Sequence, residues 1–150
     1  MQQYDIDSVV PHRGTMRLVD RVLAWDDESV AVEVTVPGDG LFAGEAGTPA
    51  WVGVEYMAQT IAAWAGCRAR RAGREPSIGF LLGTRRYVAE QPHFRAGARL
   101  RVEARCELLG ENGLGMFACR ILEGENVLAV ANVSVFEPPD AMAYLESGQA

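Results

Sequence analysis

The stretch PAWVGVEYMAQTIAAWAGC, residues 49–67, decides the fold of this chain. It is apolar almost throughout, and Glu55 is the only charged residue between Glu45 and Arg68. Gln59 follows four residues later, so on a helix the two polar side chains lie on one face. Burying a carboxylate among apolar side chains costs free energy unless the carboxylate is paired or protonated. Glu55 is therefore the first candidate for a functional group.

The same stretch is predicted to be a core helix rather than a membrane span. Pro49 is tolerated in the first turn of a helix, because its missing N–H needs no partner there. We expect the helix to reach about Ala72, with Gly73 suited to the position after its last turn. The apolar run 51–67 is shorter than the roughly 20 residues that a bilayer requires, and it contains two polar side chains. No membrane association is expected.

Predicted strands flank this helix on both sides along the chain. Apolar patterning and turn signals indicate strands before the helix at 18–25 and 30–36, and after it at 78–88, 99–108, 114–122 and 127–136. Loops are predicted at 1–17 and 41–50, and a loose tail or short helix after Pro138 and Pro139. One long apolar helix among antiparallel strands indicates an α+β fold in which a sheet wraps around the helix. The length of 150 residues suits a single domain over residues 1–150.

Net charge and cysteine usage narrow the functional classes. The formal net charge of −6 argues against general nucleic-acid binding. The three cysteines, Cys67, Cys106 and Cys119, lack the spacing of a metal site, and neither a metal nor another cofactor is expected. An odd number of cysteines without a recognisable signal peptide favours a reducing cytoplasm.

Two groups of arginines stand out against the acidic average. The first group lies at the predicted end of the helix, and the second follows soon after it: Arg68, Arg70, Arg71 and Arg74, then Arg85 and Arg86. The helix dipole favours cations at a helix C-terminus, so the first group has a purely structural interpretation. The alternative is a docking surface for an acidic partner or a phosphate-bearing ligand.

Three motifs in this order resemble one protein family. The motifs are PHRGTMRLVDRV (11–22), LFAGEAGTPAWVGVEYMAQ (41–59) and FLLGTRRY (80–87). They resemble the hotdog-fold 3-hydroxyacyl-(acyl carrier protein) dehydratases. The PHR motif of that family is matched by His12 and Arg13, and its DRV motif by Asp20 and Arg21. Its EAMAQ motif is matched by residues 55–59, and its glycine-containing strand motif by residues 80–85. The likeness covers residues 9–136 and is nearest to the dehydratase-like proteins encoded with aryl-polyene and related fatty-acid or polyketide clusters.

The resemblance implies a fold, an assembly and a chemistry. The fold is a hotdog, a long helix wrapped by a curved antiparallel sheet, and the assembly is a homodimer or a heterodimer with another hotdog subunit. The substrate is an acyl thioester on an acyl carrier protein. In the family, a histidine before the glycine loop removes the α-proton, and a carboxylate on the central helix acts on the departing hydroxyl. Glu55 matches that carboxylate and Gly44 the loop glycine, whereas Leu41 stands where the family has its histidine.

Three interpretations follow from this substitution. His12 supplies the missing imidazole, because the family's PHR loop lies near the substrate tunnel and an imidazole suits proton transfer near neutral pH; its alternative is a purely structural role in the turn. Glu55 activates water and hydrolyses an acyl thioester, as helix carboxylates do in hotdog thioesterases. The chain is a non-catalytic subunit that pairs with an active dehydratase.

The remaining site predictions concern binding. We predict that the substrate contacts Leu41, Gly44, Trp51, Gln59 and Gly83. Gln59 has an alternative role as the hydrogen-bonding partner of Glu55, and Trp51 as an ordinary core aromatic. The predicted docking residues for the carrier protein, which is acidic and delivers a phosphopantetheine arm, are Arg68, Arg70, Arg71, Arg85 and Arg86.

Overall fold

The computed structural model describes residues 3–40, 42–77 and 79–138. The N-terminal part contains helix α1 (Ile6–Val9), a 3-10 turn (Gly14–Met16) and strands β1 (Arg21–Trp25) and β2 (Ser29–Thr35). A two-residue strand β3 (Thr48–Pro49) and a second 3-10 turn (Ala50–Val52) lead into helix α2 (Gly53–Arg71). The C-terminal part contains β4 (Phe80–Ala89), β5 (His93–Phe94), β6 (Arg99–Leu109), β7 (Leu114–Glu123) and β8 (Asn126–Phe136).

One face of a large sheet packs on helix α2. Within the described residues, six strands form an antiparallel sheet in the order β1-β2-β6-β7-β8-β4, and β3 pairs with β5 in a separate small ribbon. Helix α2 contacts β2, β6, β7 and β8, and the hydrophobic core lies between the helix and these strands. The predicted α+β arrangement, a long helix against consecutive antiparallel strands, is confirmed.

Alternating side chains build this core from the central strands. Leu100, Val102 and Ala104 of β6 are buried, while Arg101 and Arg105, which alternate with them, are exposed. The alternation ends where the register of β6 against β7 shifts between Cys106 and Leu108, and Leu108 is exposed. The irregularity turns the last residues of β6 away from the core.

The N-terminal segment has more structure than its sequence suggested. Residues 1–17 were expected to be a loop, but α1 and a 3-10 turn form within the described part of that range. Val9 and Val10 are buried, and α1 packs on α2 at Gly66. A Cβ atom at Gly66 would overlap the backbone carbonyl of Val9, so only glycine permits this approach. Tertiary contact with α2, rather than local propensity, therefore fixes the segment.

Other element boundaries differ by a few residues. Helix α2 begins after the 3-10 turn and ends one residue before Ala72, and Gly73 follows at φ 74° as predicted. Strand β1 begins at Arg21 rather than at residue 18. The β3–β5 ribbon, which pairs Thr48 with Phe94, was not predicted. The predicted tail from Pro139 onward lies outside the described residues. Among the described helices, none is long and apolar enough to cross a membrane.

Candidate active site

Glu55 lies in the first turn of α2, where the chain passes from the glycine loop into the helix. Its side chain is 40% exposed, so the carboxylate reaches solvent instead of being sealed in the core. A helix N-terminus favours negative charge, which further lowers the cost of keeping a carboxylate there. The same position makes the group accessible to a ligand.

Gln59 fixes the carboxylate and the neighbouring loop at once. Its side chain is fully buried. Its Nε2 donates to Glu55 Oε1 at 3.1 Å and to the Met16 carbonyl at 2.7 Å, and its Oε1 accepts from the Leu18 N–H at 2.8 Å. Every polar atom of the amide is therefore used inside the protein. These bonds support the alternative role predicted for Gln59, that of a partner for Glu55.

The imidazole ring of His12 lies close to the Glu55 carboxylate. The imidazole Nε2 lies 3.8 Å from Glu55 Oε1, and the histidine side chain is 29% exposed. Its Nδ1 is buried and has no hydrogen-bond partner among the described residues. The structure thus brings together the two residues that the sequence analysis predicted to be catalytic.

Arg13 holds the loop that carries His12. Its guanidinium donates to three backbone carbonyls, at 2.5 Å to Val10, 2.8 Å to His12 and 2.6 Å to Asp7. Asp7 also pairs with Arg17 at 3.3 Å. These bonds connect residues 7–13 to one another, so Arg13 of the PHR motif stabilises the turn that carries the imidazole.

The predicted substrate contacts are only partly gathered around Glu55. Trp51 precedes Glu55 by one helical turn, is 65% exposed and meets Phe42 edge-on with ring centroids 5.7 Å apart. Gly44 lies in the exposed loop before the helix and exchanges backbone hydrogen bonds with Gly47. Gly83 lies in β4, opposite Ser134. Leu41 lies outside the described residues.

The helix-end arginines are occupied by contacts within the fold. Arg68 stacks on the Trp64 ring at 4.5 Å. Arg70 donates to the Ser8 carbonyl at 2.8 Å and pairs with Glu75 at 3.4 Å. Arg71 pairs with Asp27 at 2.5 Å and lies over the Trp25 ring. These contacts favour the structural interpretation of the first arginine group.

Arg85 and Arg86 differ from that group. Both are exposed on β4, and within the described residues neither pairs with a carboxylate. The pairing of β4 with β8 is irregular between Arg85 and Val88, and Arg86 adopts a left-handed conformation with φ 57°. Tyr87 follows directly, and its hydroxyl donates to the Ala50 carbonyl at the start of the helix. Arg85 and Arg86 therefore directly precede the strand residue that is hydrogen-bonded to the N-terminal end of α2.

A cavity that the sequence did not reveal lies beside the glycine loop. Its volume is about 270 Å³, and its lining includes Gly40, Phe42, Thr48 and Tyr56. Gly40 and Phe42 flank position 41, where the family motif has its histidine. No pattern in the sequence signals this space, because its walls come from segments that only the fold brings together.

Metal and thiol chemistry find no support in the described residues. Among them, no group of three or more His, Cys, Asp or Glu side chains is placed to hold a metal ion. Burial raises the pKa of Cys67 and of Cys119 to about 12, so neither thiol is a nucleophile near neutral pH. The ionisable side chains that the structure brings together at the candidate site are the Glu55 carboxylate and the His12 imidazole.

Solved structures confirm the hotdog fold. The chain resembles the dehydratase heterocomplex ApeI:P from Xenorhabdus doucetiae, with 27% identity, a TM-score of 0.89, and coverage of 99% of this chain and 100% of that one. It also resembles the E. coli PaaI protein of the phenylacetic acid degradation operon, with 14% identity, a TM-score of 0.60, and coverage of 77% and 81%. A hypothetical thioesterase with coenzyme A from Streptococcus pneumoniae matches at 12% identity and a TM-score of 0.61, with coverage of 78% and 84%. These last two likenesses concern the fold alone.

Sequence comparison identifies the family. No curated protein matches the chain significantly. The model of the ApeP-like family, described as ApeP dehydratase, matches residues 4–146. The dehydratase resemblance carried by the three motifs is thereby confirmed, and the chain belongs to the ApeP-like dehydratase family.

Proposed function

We propose that this chain removes water from 3-hydroxyacyl groups held as thioesters on an acyl carrier protein, as a single-domain hotdog subunit working in the cytoplasm in aryl-polyene-type biosynthesis. The observation that carries this proposal is the approach of His12 Nε2 to Glu55 Oε1 at 3.8 Å. A dehydration needs one group that accepts a proton and one that donates a proton, and this pair provides both types.

The proton balance assigns a role to each member of the pair. One member accepts the proton from the α-carbon of the thioester, and the C–O bond at the β-carbon breaks. The other member donates a proton to the departing hydroxyl, which leaves as water, and a 2-enoyl thioester remains. We assign the donor role to Glu55, as in the family, and the acceptor role to His12. One proton then moves from the imidazole to the carboxylate across the short gap between them, which restores the starting state.

We further propose that a second hotdog subunit completes the site. This chain has Leu41 where the family motif has histidine, so the loop histidine is one group that a second subunit would add to the site. The structure that this chain matches along its whole length is a dehydratase heterocomplex.

Strand β4 is the surface that suits such a partner. It has ten residues, lies at an edge of the sheet, and exposes Leu81, Leu82 and Val88. An exposed apolar edge is a pairing surface unless something covers it. The opposite edge, β1, has only five residues, and the Gln3 side chain donates to the Leu23 carbonyl there at 3.4 Å.

The carrier protein is proposed to dock through Arg85 and Arg86. Within the described residues neither arginine pairs with a carboxylate, and both lie in β4 directly before Tyr87, which is hydrogen-bonded near the start of α2. An acidic carrier protein with a phosphate in its prosthetic arm complements such a pair. Arg68, Arg70 and Arg71 contribute less to docking in this proposal, because their side chains already hold the helix end in place.

Mass spectrometry of the carrier protein tests this function. The purified chain, alone and mixed with a second hotdog dehydratase subunit, is incubated with 3-hydroxyacyl and with saturated acyl carrier-protein thioesters. The proposal predicts loss of one water from the 3-hydroxyacyl thioester and no change in the saturated one. Release of free acid from either substrate would instead identify a thioesterase, and an unchanged 3-hydroxyacyl thioester in both mixtures would contradict dehydration.

A further inference from the structure

The cavity beside the glycine loop is lined by two neighbouring residues with hydroxyl groups, Thr48 and Tyr56. Thr48 is 1% exposed, and its Oγ1 has no hydrogen-bond partner among the described residues. Tyr56 is 2% exposed. Buried polar groups in proteins are nearly always hydrogen-bonded, so the unpartnered Thr48 hydroxyl requires an explanation.

Both hydroxyls are available as donors near neutral pH. Burial raises the pKa of Tyr56, and the charge of Asp20 raises it further. The neighbouring Thr48 hydroxyl offsets part of this rise in the pKa of Tyr56. The phenol therefore keeps its proton and can donate it, while either oxygen can accept a hydrogen bond.

The cavity lies next to the candidate active site. Tyr56 directly follows Glu55 on α2, and Leu18, another lining residue, donates its N–H to Gln59, which in turn binds Glu55. The volume of about 270 Å³ exceeds the roughly 150 Å³ of a cavity that accommodates a benzene molecule. The cavity therefore shares the first turns of α2 and the Leu18 segment with the site at Glu55, and it is large enough for part of a substrate.

The character of the lining favours an uncharged ligand group. Phe42, Leu18 and Pro37 supply apolar walls, while Arg17 and Asp20 place charges of opposite sign at the same cavity. Arg17 is already paired with Asp7, and Asp20 Oδ2 accepts from the Thr35 N–H at 2.6 Å. Asp39, a third charged lining residue, is exposed to solvent, so the buried group that remains unmatched is the neutral Thr48 hydroxyl beside Tyr56.

We propose that Thr48 and Tyr56 form a binding subsite for a neutral, oxygen-bearing group of the thioester substrate. The inference rests on the proposed function, because it takes the ligand to be the thioester. Two parts of such a substrate carry this chemistry: the amides of the pantetheine arm and an oxygen on the acyl chain. A bound group supplies hydrogen-bond partners that no described residue provides to Thr48, so the two hydroxyls contribute to affinity rather than to folding.

Binding measurements without turnover test this subsite. The full chain carries Glu55→Gln, and Thr48→Val or Tyr56→Phe is added to it. Each protein is titrated with a 3-hydroxyacyl pantetheine thioester, and its melting temperature is measured. We expect each added substitution to weaken binding by about tenfold, near the effect of one hydrogen bond, with no fall in melting temperature. Thr48→Ser, which keeps the hydroxyl, should restore the affinity.

Tyr87→Phe is the matched control. Tyr87 is a partly buried tyrosine whose hydroxyl already donates to the Ala50 carbonyl. Its loss should lower the melting temperature and leave the affinity unchanged. The subsite is refuted if the Thr48 and Tyr56 variants bind as tightly as the parent, if the parent does not bind the thioester, or if the variants lose stability as Tyr87→Phe does.

Two further ligands distinguish the source of the oxygen. An N-acetylcysteamine thioester lacks most of the pantetheine arm. A pantetheine thioester of a plain alkanoyl chain keeps the arm but lacks the hydroxyl on the acyl chain. If the effect of Thr48→Val disappears with the first ligand, the arm occupies the subsite; if it disappears with the second, the acyl chain does. Because these are binding constants, a parent that binds but never dehydrates refutes the proposed function and leaves the subsite standing.

Discussion

At the scale of single residues, the site depends on one amide. Gln59 joins the carboxylate of Glu55 to the backbone of the loop that presents His12, and it does so with three hydrogen bonds. The i, i+4 spacing of Glu55 and Gln59 was enough to predict that they share a helix face. The approach of His12 was not predictable from spacing, since it depends on the path of residues 12–18 over the helix, and only the family resemblance indicated it.

Replacing Gln59 tests this arrangement. Gln59→Leu keeps the volume but leaves the Met16 carbonyl and the Leu18 N–H unpaired, each at a cost of about 1–3 kcal/mol. We expect a lower free energy of unfolding in urea and a slower dehydration rate. Ala62→Leu, on the half-exposed face of the same helix, is the control and should change neither quantity much. A Gln59→Leu protein that is as stable and as fast as the parent would contradict this role.

The exposure of Glu55 departs from what the sequence suggested. An isolated charge in an apolar run reads as a buried carboxylate, but the run begins where the helix emerges from the glycine loop, and Trp51 and Glu55 face outward there. The hydrophobicity of the chain does not predict which residues at a helix end are exposed, because that exposure depends on where the neighbouring loop turns.

At the scale of elements, the long helix and the long strands followed from periodicity, and the short elements did not. Strand β6 was predicted almost to the residue, because arginine and apolar residues alternate along it. Helix α1 has only four residues and exists because Gly66 admits it against α2. Elements of this length are stabilised by tertiary contact, so a local pattern cannot reveal them.

Gly66→Ala tests the docking of α1. Alanine favours a helix by up to about 1 kcal/mol over glycine, but its Cβ would overlap the Val9 backbone. We expect a net loss of stability and faster amide hydrogen exchange in residues 5–18, which carry His12, together with lower activity. Ala65→Ser, at the neighbouring half-exposed position, should leave hydrogen exchange unchanged. Unaltered exchange in the Gly66→Ala protein would show that the segment does not depend on this contact.

At the scale of the whole molecule, the two edges of the sheet and the distribution of arginines define the surfaces for partners. From the sequence alone, residues of both arginine groups were predicted to dock the carrier protein. The fold separates them, because the side chains of Arg68, Arg70 and Arg71 contact residues from other parts of the chain, whereas Arg85 and Arg86 project from an edge strand. This difference between the two groups depends on which residues surround each arginine in the fold, so clusters of charge in the sequence do not predict it.

Charge reversal tests the proposed carrier-protein surface. Arg85→Glu combined with Arg86→Glu should weaken binding of the acyl carrier protein at least tenfold at low salt, with a smaller difference at high salt, where charges are screened. Titration of a fluorescent carrier protein at two salt concentrations measures both effects. Arg74→Glu combined with Arg105→Glu makes the same change in net charge elsewhere on the surface. Equal affinities for the two double variants would remove Arg85 and Arg86 from docking.

Assembly is the second prediction at this scale. If β4 is the edge that meets a second hotdog subunit, Leu82→Lys should weaken the complex, because it places a charge on an apolar contact. Analytical ultracentrifugation of the mixed subunits measures the loss. Val127→Lys, which changes an exposed valine at the start of β8, is the control. A Leu82→Lys protein that assembles like the parent would exclude this edge.

The most direct test of the central claim is the dehydration rate of the Glu55→Gln variant, measured with a hotdog partner subunit and a 3-hydroxyacyl carrier-protein thioester. Glutamine keeps the shape of the side chain but cannot transfer a proton. General acid–base catalysis contributes about 100-fold to 10,000-fold, so we predict a loss of that order with an unchanged melting temperature. Glu111→Gln, in an exposed hairpin turn, should retain full activity. A Glu55→Gln protein that dehydrates the substrate as fast as the parent would contradict the assignment of Glu55 as the catalytic carboxylate.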